Sequence, residues 1–95
     1  MIDEHKALKA KERGVQAEAL LRNELLQEAF KTIEAELIKK WASTGPDQAM
    51  ARENLWQALQ LLSDVHGFIK MAVQDGKIAQ RDLDDLANKF RPRAA

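Results

Sequence analysis

The chain has 95 residues, enough for one small domain or for one protomer that completes its core in an assembly. Fifteen Lys and Arg are balanced by fifteen Asp and Glu, which argues against a binder held mainly by phosphate attraction and equally against an acidic mimic of nucleic acid. Cys is absent, so no disulfide framework, thiolate nucleophile or Cys zinc site can form; Tyr is absent too, and His occurs only twice. The apolar fraction is 45%, but fifteen of those residues are Ala, a thin stock of large side chains for a monomeric core. The longest apolar runs are two or three residues, too short for a membrane span or a signal-peptide core, so the expected location is the cytoplasm.

Leu, Ala, Glu, Gln, Lys and Arg dominate, whereas Val, Ile and Thr are scarce and no stretch alternates apolar and polar residues. The fold class is therefore all-α. The first helical pattern covers an N-terminal arm, 1–22, with Leu8 and Val15 seven apart and Ala7, Ala10, Ala17 and Ala19 between and beyond them. Gly14 weakens it by about 1 kcal/mol relative to Ala, and the highly charged 1–13 reads as an exposed segment. Asn23, before Glu24 and a strong apolar stripe, is the natural N-cap and break.

From there Leu26, Phe30, Ile33, Leu37 and Trp41 recur at spacings of three and four, placing them on one face of a helix over about 24–42, widened by Leu25, Ala29 and Ile38. Glu24 and Glu28 near its start and Lys39 and Lys40 near its end suit the helix dipole. Ser43-Thr44-Gly45-Pro46 stops it. A third helix is expected over about 46–75, with the stripe Leu55, Leu59, Leu62, His66, Ile69 and Val73 and a second line, Ala58, Leu61, Val65, Phe68 and Ala72, beside it. Two lines imply contact from two sides. Asp75-Gly76 predicts its end, and Leu83, Leu86 and Phe90 predict a short C-terminal helix over about 79–90. The short connection at 43–47 makes the second and third helices an antiparallel hairpin. Residues 23–90 thus read as a single domain, hairpin plus short helix, and 91–95 as a tail.

Little of this carries site chemistry. His66 lies in the apolar stripe, and the positions three and four away hold Leu62, Ser63, Ile69 and Lys70, so no second metal ligand is local. His5 sits among charges. Ser63 and His66 share a helix face, but Asp64 points roughly 160° away from His66 and cannot orient its imidazole. Asp75-Gly76-Lys77-Ile78 matches the middle of an EF-hand loop, yet the alignment places Met71 and Val73 where carboxylate ligands belong. Asp82 with Asp85, and Glu24 with Glu28, lack the Glu-x-x-His companion of helical di-metal sites. Neither a cofactor, a metal nor a small-molecule substrate is expected, and the chain reads as a non-enzyme.

Two surfaces stay in play. Leu20, Leu21, Leu25, Leu26, Ile38, Trp41, Trp56 and Leu61 exceed what a hairpin and one short helix can cover, and they are the candidate interface of a homo-oligomer or of a larger protein partner. Lys89, Arg91 and Arg93 form a small basic terminus, as do Lys39 and Lys40, and with the helix–Gly–helix joint at Asp75-Gly76 they are the basis for the alternative of a nucleic-acid-associated or regulatory accessory factor in packaging or transcription. Three aspartates at the start of the last helix oppose that alternative.

Leu20-Leu21-Arg22-Asn23-Glu24-Leu25-Leu26, Ala29-Phe30, Ile33-Glu34 and Arg52-Glu53-Asn54-Leu55-Trp56 resemble short all-helical proteins encoded by tailed phages and prophages. The similarity covers about two thirds of the chain and carries no catalytic or binding signature. It implies a virion or head-assembly role, with the virion as a second possible location, and it transfers no functional residue.

Overall fold

The computed structural model describes residues 3–90. Three α-helices account for nearly all of them: α1 (Glu4–Arg22), α2 (Glu24–Ala42) and α3 (Ala49–Lys89). The all-α expectation and the hairpin of the second and third helices are what the structure shows.

Each boundary has a chemical cause. Asp3 opens α1, its Oδ1 accepting the amide of Lys6 at 3.2 Å. A single residue, Asn23, separates α1 from α2. It is extended (φ −69, ψ 116), and its side chain accepts the amide of Leu26 at 2.9 Å, while Gln27 Nε2 donates back to the carbonyl of Leu21 at 2.6 Å. Both groups satisfy backbone atoms that a helix end leaves orphaned. At the far end of α2 the Ser43 hydroxyl donates to the carbonyl of Lys40 at 2.8 Å, and the Thr44 hydroxyl to that of Trp41 at 2.6 Å. Gln48 then closes the turn with Gly45, its Oε1 accepting the Gly45 amide at 2.9 Å and its own amide donating to the Gly45 carbonyl at 3.0 Å. That turn occupies the residues expected to begin the third helix, which starts at Ala49 rather than 46.

The chain divides into two compact units. In the unit of residues 21–68, α2 packs antiparallel on the first half of α3. Phe30 meets His66 edge-on, with ring centroids 5.0 Å apart and planes inclined by 62°. Nearer the turn, the Arg52 guanidinium lies 4.1 Å from the centre of the Trp41 ring. Increasing residue number on one helix thus matches decreasing number on the other. Leu26, Phe30 and Leu37 of α2 and Leu55, Ala58, Leu59, Leu62 and His66 of α3 are half-buried along the seam. Among the described residues, α2 has no fully buried side chain.

In the other unit, residues 3–20 pack on 69–90 through small residues. Gly14 and Gly76 meet backbone to backbone, so closely that a Cβ built on either would fall 2.7 Å from the Cα of the other. Ala10 and Ala72 contribute the adjoining carbonyls, each 3.2 Å from such a Cβ. Ala17 and Ala79 are buried beside the crossing. Most of the described residues of the charged segment up to residue 13 are exposed, as expected, but α1 as a whole is half of a close helix pair, its contact supplied by Ala and Gly instead of Leu.

This contact also explains why the predicted stop at Asp75-Gly76 does not occur. α3 continues without interruption to Lys89, so the residues expected to form a separate C-terminal helix are its last turns. No glycine of the described chain has a positive φ. Gly76 is a helical residue whose missing Cβ admits α1, a use of glycine distinct from the left-handed cap that the dipeptide suggests.

Candidate functional site

The hairpin unit has two flanks, and its antiparallel contacts settle which residues share each one. On both helices, residues one position before the seam turn to one side, and residues one position after it turn to the other. Leu25 and Ala29 precede Leu26 and Phe30; Leu61 and Val65 precede Leu62 and His66. Together with Ile33, which is at the seam but only half covered, these residues make one apolar face across both helices. Leu25 is 74% exposed, Leu61 66%, Val65 54% and Ile33 46%. Phe68 continues the α3 row at its end.

The opposite flank carries Ile38 and Trp56, each one position after the seam. The register set by Trp41 and Arg52 puts the two level with each other, and both are exposed. The eight interface residues named from the sequence are thus distributed over several places. Leu25 and Leu61 belong to the first face, and Ile38 and Trp56 to the second. Leu26 and Leu21 are half-buried, Leu26 at the seam. Leu20, in the other unit, is exposed. Trp41 lies under Arg52, whose Nη1 also donates to the Thr44 carbonyl at 3.1 Å and the Thr44 hydroxyl at 2.8 Å. That side chain clamps the end of α2 and gives Trp41 a structural partner on one face of its ring, which is still 38% exposed.

Val65, Ile33 and Ala29 complete the first face and are absent from that set of eight. Their signal was present in the sequence as the second line on α3 and the widened stripe on α2, but only the register of the hairpin joins the two lines. By the same rule Glu36, before Leu37, and Asn54, before Leu55, are exposed on this side, so the aliphatic patch is bordered by a carboxylate and an amide.

The other sequence features hold no assembled chemistry. His66 spends its ring on the edge contact with Phe30, and Ser63 and Asp64 are both exposed on α3. Among the described residues, no group of three or more His, Cys, Asp or Glu is placed to hold a metal ion, and no helix is long and apolar enough to cross a membrane. A shallow, open groove between α1 and the end of α3 is lined by Asp3, Lys6, Ala7, Asp75, Ile78, Ala79 and Asp82. Its three carboxylates surround no convergent donor other than Lys6. Lys89 is exposed at the end of α3; Arg91, Arg93 and the rest of the expected 91–95 tail lie outside the described residues. Against family models, curated proteins and solved structures alike, the chain finds no match.

Proposed function

We propose that this chain is a non-enzymatic helical assembly or adaptor protein that acts through the apolar faces of its helices. The observation that carries the reading is the inversion of the usual burial. Among the described residues the buried hydrophobic side chains are Ala17 and Ala79, while Leu25, Leu61, Phe68, Met50 and Met71 are each more than 60% exposed. Scattered exposed apolar residues are ordinary, but rows of them along helix faces mark surfaces made for another protein. The absence of net charge suits contacts made by apolar burial and removes the long-range attraction that a nucleic-acid binder relies on. The resemblance to phage-encoded helical proteins supports a virion or head-assembly component as the biological setting.

A photo-crosslinking amino acid at position 61, compared with one at position 28 on the polar outer face of α2, tests the reading in the cell that makes the protein. Protein adducts concentrated at position 61 are expected. If neither position yields an adduct, or both yield the same, the apolar faces are not where the protein works.

A further inference from the structure

We draw no further inference here: the strongest candidate, the exposed aliphatic face of Leu25, Ala29, Ile33, Leu61 and Val65 on the α2–α3 hairpin, carries nothing because nothing in the structure shows what covers it.

Discussion

The crossing of Gly14 and Gly76 makes a sharp prediction about two glycines in one helix. In Gly76→Ala the new methyl carbon lands 2.7 Å from the Gly14 Cα and 3.2 Å from the Ala10 carbonyl oxygen. Carbon atoms prefer about 3.5–4.0 Å, and both obstacles are backbone, so no side chain can swing away. The helices must part by about 1 Å, loosening the contacts of Ala10, Ala17, Ala72 and Ala79 along the crossing. Overpacking of this kind costs about 1–3 kcal/mol, of which the better helix propensity of Ala returns up to about 1 kcal/mol. Gly67 offers the control, since a Cβ there meets nothing within 4 Å. Gly67→Ala gains the propensity without the clash and should stabilise by about 0.5–1 kcal/mol. The same change at two positions of α3 therefore has opposite signs, with a gap of about 2 kcal/mol. Thermal melts by circular dichroism, at one fixed protein concentration, should separate the two variants by roughly 10 °C. Were Gly76→Ala to melt at or above Gly67→Ala, the backbone contact would be wrong. The double variant Gly14→Ala with Gly76→Ala should cost less than the two changes summed, because a pair already parted by one methyl accommodates the second.

Three further substitutions address the hairpin unit. Asn23→Ala removes the cap on the Leu26 amide and should cost about 1 kcal/mol in a urea melt, while Asn23→Asp should retain most of the stability. Arg52→Ala releases Trp41 and Thr44; it should cost about 1 kcal/mol and shift the Trp fluorescence, with Arg52→Lys failing to restore either because an ammonium cannot both stack and fork. At two adjacent positions of α2, Leu26→Ala should destabilise by about 2 kcal/mol, whereas Leu25→Ala, 74% exposed, should leave the unfolding of the isolated chain within about 0.5 kcal/mol of wild type.

α2 and its ends were legible because several local signals agree there: a five-residue apolar stripe, a capping Asn and a Gly-Pro stop. α3 was legible in its first half and misread at Asp75-Gly76. The dipeptide carries a turn signal, and its helical use depends on a partner far away in sequence. A clue did exist. Ala10, Gly14 and Ala17 on one helix repeat the four-then-three spacing of Ala72, Gly76 and Ala79 on the other, the pattern of two surfaces made for close approach. Large-residue stripes are the stronger sequence signal, and α1 has few large apolar residues to show that it packs at all. For the apolar face, Leu25 and Leu61 were found by their surplus over what a hairpin covers. Val65, Ile33 and Ala29 were not, because membership of the face depends on how one helix registers against the other, and Phe30 with His66 fixes that only in three dimensions.

The two helix pairings differ in how much chain must be gathered to make them. The α2–α3 contact begins across a turn of a few residues, whereas bringing Gly14 to Gly76 closes a loop of about 60 residues, and the entropy of closure grows with that length. Local pairings form quickly and distant ones late. The hairpin should therefore assemble first and α1 should dock last, so that pulse-labelling hydrogen exchange during refolding finds the amides of α2 protected before those of α1. A nascent chain would hold its apolar face ready before its N-terminal helix had found its place.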